Sequence, residues 1–187
     1  MVKRTFFKDG ELKLLWPFYF EAAILSIFYI FIPFQVIYLL NLGFSLFQIG
    51  LLTSAQLLAA FLFEIPTGAV ADIFGKKAST LIGHFVVGCS LMGVFFFTNF
   101  YILFALFFIW GFGQTFVSGA YESWVIDKLE REKKKKLVQE YYSKTYSFYS
   151  FALLISGLIG AFFVKQYGLS IIWLISGLDM ILIGILL

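Results

Sequence analysis

Long apolar runs separated by short polar breaks dominate the chain. A membrane-crossing helix needs roughly 20 apolar residues. Six runs meet that length: residues 14–40, 46–71, 77–98, 100–126, 142–164 and 169–187. Water is absent from a bilayer core, so a segment crossing alone must satisfy its own backbone hydrogen bonds as a helix. The pattern therefore predicts an all-α integral membrane fold, a single six-transmembrane-helix bundle over residues 1–187. In the break "NLGFSLFQ", Ser45 and Gln48 have the spacing of a capping box at the start of the second run.

Composition narrows the reading. Hydrophobic residues make up 61% of the chain and charged residues 13%, with mean hydropathy +0.92. A soluble domain carries about 25% charged residues, so lipid is the expected solvent for most of this surface. Cys89 is the single cysteine; it excludes an internal disulfide and a cysteine metal cluster, and reads as a small buried hydrophobe. No catalytic triad, metal cluster or cofactor motif is visible, so neither enzyme activity nor a cofactor is expected. The first run is too long for a signal-peptide core, and no small-residue cleavage site follows it.

The basic residues set the expected orientation. Lys3, Arg4, Lys8 and Lys13 precede the first run, Lys76 and Lys77 lie between the second and third, and Lys128, Arg131, Lys133 to Lys136 and Lys144 flank the break before the fifth. The opposite side has Lys165 alone. Positive residues stay inside, so both termini and these two loops are expected on the cytoplasmic side of the cell membrane. The run "EREKKKK" reads as an orienting anchor beside lipid headgroups, not as a nucleic-acid site.

One polar hinge stands out, "FEIPTGAVADIFGKKAST", residues 63–80. Gly68 offers room for close helix approach. Asp72 can accept hydrogen bonds from a helix N-terminus, Gly75 permits a tight reversal, and Lys76 and Lys77 hold the loop on one side. A nucleotide loop is rejected, because six residues separate Gly68 from Gly75, Lys77 replaces the required Ser/Thr, and the context is helical.

The segment "GAVADIFGKK" resembles the signature between helices 2 and 3 of major facilitator superfamily transporters, matching it at Gly68, Asp72, Gly75, Lys76 and Lys77. "FEIPTG" and "SGAYESWVIDKL" are similar to a prokaryotic, exporter-like branch. The resemblance implies the N-terminal six-helix half of a secondary transporter that moves a small molecule by alternating access, with this loop latching one half to the other. It also implies an acid at the foot of helix 4, matched by Asp127, paired with a basic residue after the aspartate. That position is Ile73 here, and Lys76 is the nearby substitute. The helix-4 arginine and the helix-5 proline signature of related antiporters are missing.

Charged residues inside spans are costly and mark cavities or partners. Glu21, Glu64, His84, Glu122 and Asp179 are such residues. Glu21 and Glu64 stand about seven residues from a helix end, ~10 Å deep, and Asp179 is near the midplane. Gln114, Ser118 and Glu122 form a stripe expected to border a wet cavity. Glu64, beside Pro66, is expected to be structural. Tyr29, Tyr38, Trp110 and Tyr121 are candidates for an aromatic lining, and Pro33 and Pro66 for helix bends.

A complete superfamily transporter has two such halves. The expected partners are therefore the lipid bilayer, a small-molecule substrate, and either a missing C-terminal half or a second copy as a homodimer. The alternative function is a non-transporting half-size or truncated membrane protein, acting as an interaction subunit or surviving as a remnant.

Overall fold

The computed structural model describes residues 6–8 and 10–187; Lys3 and Arg4 lie outside the described residues. The order of elements is α1 (Glu11–Ala23), a short 3-10 turn (Leu25–Phe28), α2 (Phe31–Asn41), α3 (Leu46–Phe74), α4 (Lys76–Phe96), α5 (Phe100–Val117), α6 (Ala120–Arg131), α7 (Val138–Tyr167) and α8 (Ile171–Leu186). No strand occurs among the described residues. The protein is thus an all-helical membrane bundle. Among the described residues, five helical stretches are long and apolar enough to cross a membrane, and α8 is a shorter apolar helix.

Local chemistry fixes the helix starts. Ser45 Oγ accepts from the Gln48 N–H at 3.3 Å, and Gln48 Oε1 accepts from the Ser45 N–H at 2.9 Å. This reciprocal capping box satisfies two donors at the head of α3. Asn99 caps α5 by accepting from the Tyr101 and Ile102 N–H groups at 2.9 and 3.4 Å. Between α3 and α4 the chain reverses at Gly75, whose φ of 97° a side chain would resist.

Packing depends on small residues where backbones meet. α4 packs most extensively on α8 and α5, α3 on α5, and α1 on α7. A Cβ on Gly88 would lie 2.7 Å from the Gly177 carbonyl, and a Cβ on Gly177 would lie 2.7 Å from the Gly88 carbonyl. Gly111 presses α5 onto the Gln56 carbonyl of α3 in the same way. Gly68 does not behave as expected. Nothing in the chain lies within 4 Å of where its Cβ would stand, so its face of α3 is open. Cys89 is exposed, not buried.

The apolar pattern runs straight through two places where the backbone breaks. The first run unwinds between α1 and α2, with Tyr29 at ψ 43°. Pro33 does not bend a helix here; it sits in the first turn of α2, where its missing N–H costs little. Without a Pro33 donor, the Tyr29 carbonyl accepts from the Ile32 N–H at 3.2 Å instead. The fourth run breaks at Ser118, with ψ −145°, and Gly119. α3, by contrast, continues through Pro66.

Inside a membrane, freed backbone groups need partners, and hydroxyls supply them. At the first break, Ser26 Oγ donates to the Glu21 carbonyl at 3.1 Å, and Ser176 Oγ of α8 donates to the Phe28 carbonyl at 2.7 Å. At the second, the Thr115 carbonyl accepts from Thr67 Oγ1 of α3 at 3.2 Å, and the Phe116 carbonyl accepts from Ser79 Oγ of α4 at 2.9 Å.

Candidate functional site

The two breaks face each other. Glu21, at the end of α1, accepts a hydrogen bond from the Tyr121 hydroxyl at 2.8 Å and from the Tyr29 hydroxyl at 3.4 Å. Tyr121 opens α6 just beyond the second break, and Tyr29 lies within the first. Unwinding both spans therefore brings an acid and two phenols from residues up to 100 apart onto one point.

That point borders a cavity of about 230 Å³ lined by Glu21, Tyr29, His84, Gln114, Tyr121 and Tyr149, among others. A second cavity of about 280 Å³ adjoins it through Glu21, Tyr121 and Tyr149, and adds Glu122, Tyr141, Tyr142 and Tyr146. His84 Nδ1 lies 2.8 Å from the Thr80 carbonyl. A carbonyl only accepts, so Nδ1 carries the hydrogen. Asp179 is buried, 4% exposed, and its Oδ2 has no hydrogen-bond partner among the described residues. It is close enough to Glu21 and Tyr29 for direct electrostatic interaction.

The stripe read along the fourth run is interrupted by the break at Ser118–Gly119. Gln114 lines the cavity with Glu21 and bonds Gln56 at 3.2 Å. Ser118 turns away and donates to Glu64 Oε1 at 2.7 Å. Glu122 accepts from the Tyr142 hydroxyl at 3.3 Å in the second cavity. Glu64 thus braces the break in the neighbouring span. Thr67 Oγ1 also lies 2.8 Å from the Phe63 carbonyl of its own helix, so its one hydrogen is shared between that carbonyl and the Thr115 carbonyl. Of the aromatic candidates, Tyr29 and Tyr121 line the cavity. Tyr38 donates to the Val94 carbonyl at 3.1 Å, and Trp110 packs on Phe31, Phe107 and Trp173 in the core.

The loop residues gather at a separate groove between α3 and the second break. Its volume is about 210 Å³, and Glu64, Gly68, Asp72, Lys76, Ser118 and Gly119 line it. Lys76 Nζ donates to Asp127 Oδ2 at 2.7 Å, so the basic partner of the helix-4 acid comes from Lys76, with Ile73 exposed beside it. Lys77 lies over the Trp124 ring at 5.5 Å.

A further polar cluster had no signal in the sequence beyond loose opposite charges. Glu11 is fully buried; its Oε1 accepts from Lys144 Nζ at 2.5 Å and from the Tyr19 hydroxyl at 2.6 Å, and its Oε2 accepts from the Lys8 N–H at 2.8 Å. Lys8 also pairs with Glu140. Together these ties clamp the start of α1 to α7.

Such a structure is a multi-pass helical membrane protein with an acidic, aromatic cavity between interrupted helices. The chain belongs to the Major Facilitator Superfamily, whose profile matches residues 18–187. It is 29% identical over 96 residues to YxaM of Bacillus subtilis, an uncharacterized MFS-type transporter, covering 51% of this chain and 24% of that relative. It is 37% identical over 60 residues to another uncharacterized MFS-type transporter, MJ1560 of Methanocaldococcus jannaschii, covering 32% of this chain and 16% of the relative. The matched stretches thus span a quarter or less of those relatives. No solved structure matches.

Proposed function

We propose that the chain forms one six-helix half of a small-molecule exporter of the cell membrane. It works by alternating access against a second six-helix unit, either further polypeptide or a second copy of the chain. The observation that carries this reading is the Glu21–Tyr121 hydrogen bond at 2.8 Å, which joins the two broken spans at the wall of a cavity. Discontinuous helices that meet at a polar cavity are how membrane carriers build substrate sites. The substrate pathway runs along Glu21, Gln114, Tyr121 and Tyr149, with Glu122 on the adjoining cavity. The loop of Gly68, Asp72, Gly75, Lys76 and Lys77, braced by Asp127, is the latch toward the second unit. The open face at Gly68 and the exposed Asp72 support a partner from outside the described residues. Both termini and the latch loop lie in the cytoplasm.

Thiol accessibility tests the reading. On a Cys89→Ser background, Leu42→Cys and Lys134→Cys report the two sides of the membrane, and Gln114→Cys reports the cavity. Leu42→Cys and Lys134→Cys are expected to react with an impermeant maleimide from opposite faces, and Gln114→Cys from each face in turn. Reaction of Gln114→Cys from one face only, under every condition, would overturn alternating access.

A further inference from the structure

The lining of the paired cavities is chemically one-sided. Glu21, Glu122 and six tyrosines, Tyr29, Tyr121, Tyr141, Tyr142, Tyr146 and Tyr149, border them; among the described residues no lysine or arginine does, and His84 is the one imidazole. Behind the wall, Asp179 adds a second buried carboxyl that interacts with Glu21 and has one oxygen without a hydrogen-bond partner. A carboxylate in a membrane interior is stabilised by a counter-charge, by hydrogen-bond donors or by water. Among the described residues, Lys76 is paired with Asp127, Lys144 with Glu11, and Lys128 lies over the Phe18 ring.

We infer that this site binds an organic ammonium ion, with Glu21 as the counter-charge and the tyrosine rings as the cage around the cationic head. The inference rests on the transport reading above and names its substrate class. Aromatic faces attract a cation through the ring quadrupole, most strongly where water is excluded, and cages of such rings recognise quaternary ammonium groups. A bare metal ion fits poorly. Hard cations demand six or more oxygen ligands, and no cluster of three or more His, Cys, Asp or Glu suited to a metal occurs among the described residues. The cavities, about 230 and 280 Å³, suit a small organic body. An anion would meet the Glu21 and Asp179 carboxyls with the single imidazole of His84, and no lysine or arginine among the described lining residues, to receive it.

The test uses the full protein in lipid nanodiscs and three probes of nearly one shape: choline, its neutral isostere 3,3-dimethylbutan-1-ol, and the anion 3,3-dimethylbutanoate. Equilibrium binding is measured first, then counterflow of whichever probe binds in proteoliposomes. Choline is expected to bind at least about tenfold more tightly than the neutral isostere, and the anion not at all. Glu21→Gln should erase that preference and leave affinity for the neutral probe in place. Should Glu21→Gln fail to fold, Tyr149→Leu, which removes a ring shared by both cavities, is expected to weaken choline binding several-fold. Equal affinity for choline and its neutral isostere, preference for the anion, no binding of any probe, or choline binding unchanged in both variants would each overturn the inference. Persistent counterflow of the neutral or anionic probe would then leave the transport reading standing. Choline binding that depends on Glu21 without counterflow would keep the cation site and remove the transport reading.

Discussion

The two helix breaks solve one problem in different surroundings. In both, hydroxyls donate to carbonyls that the unwound backbone has left free. The first break is enclosed around its repaired carbonyls: Ser26, Ser176 and Ile30 are 0% exposed and Phe31 5%, with only its outer edge open at Ile24, 44% exposed. The second is enclosed on one side only. Thr67 and Ser79 are buried beneath it, yet Ser118 and Gly119 are exposed to the groove, with nothing within 4 Å of a Cβ on Gly119. The enclosed break holds Glu21 at a fixed point on the cavity wall. The half-open break leaves open space beside the joint between α5 and α6, which carries Tyr121. The difference teaches that unwinding alone does not make a hinge; the space beside it does.

The largest effect should come from removing what fixes α5. A Cβ on Gly111 meets the Gln56 carbonyl of α3 directly, backbone against backbone. Gly111→Ala is expected to cost about 3 kcal/mol, the upper end of ordinary overpacking, seen as loss of folded protein in detergent. Gly119→Ala should fold normally, because no atom crowds it, while favouring a continuous helix by about 1 kcal/mol. Comparable losses of folded protein in the two variants would break the distinction between fixed and free segments.

Next in size are the hydroxyl repairs. Ser176→Ala leaves the Phe28 carbonyl without its donor in an enclosed site and should cost about 2 kcal/mol, read as a lower midpoint in a detergent melt. Thr67→Val removes one donor to the Thr115 carbonyl, which also accepts from Ser118 Oγ at 3.3 Å and borders the groove, where water can replace the loss. Its cost should stay below about 1 kcal/mol. A larger loss for Thr67→Val than for Ser176→Ala would reverse the comparison.

Much of this was legible in the sequence. The apolar runs announce the helical membrane fold, Ser45 and Gln48 announce their capping box, and Gly68 to Lys77 announce the family. The breaks were not legible, because hydropathy is blind to backbone torsion: "AAILSIFYIF" and "QTFVSGAYES" stay apolar or small throughout. Reading the fourth run as one straight helix placed Gln114, Ser118 and Glu122 on one stripe, and a single turn of broken backbone sends them to three different partners. The Glu11–Lys144 pair was hidden for another reason. Its members are 133 residues apart, and only the packing of α1 on α7 brings them together. The exposure of Gly68 and Cys89 depends on which helix faces are left uncovered, and helical periodicity in strongly apolar spans does not reveal that.

Tyr121→Phe probes the contact that joins the two breaks. It deletes the 2.8 Å hydrogen bond to Glu21 and keeps the ring against Phe18. A hydrogen bond to a carboxylate contributes about 1.5–3 kcal/mol, and Glu21 keeps the Tyr29 hydroxyl as a donor, so stability should fall by about the lower end of that range. The sharper readout is labelling of Gln114→Cys, which should change its balance between the two faces if α6 moves with Tyr121. An unchanged balance would mean that the second break is as rigid as the first.

The smallest stability effect is expected at the Lys76–Asp127 pair of the proposed latch. Lys76 and Asp127 make a 2.7 Å ion pair, but both side chains are about a third exposed, at 29% and 38%. Exposed pairs of this kind contribute about 0–1 kcal/mol and are weakened by salt. Lys76→Met should therefore leave the melting midpoint nearly unchanged. It nevertheless removes the link between the start of α4 and α6, which follows the second break. If α6 is the moving part, Lys76→Met and Asp127→Asn should alter the two-sided labelling of Gln114→Cys equally, and the double variant should do no more than either alone. High salt should mimic them in the parent protein. A large fall in stability from either substitution would instead make the pair a structural brace, and the half-open break would have to be regarded as locked by it.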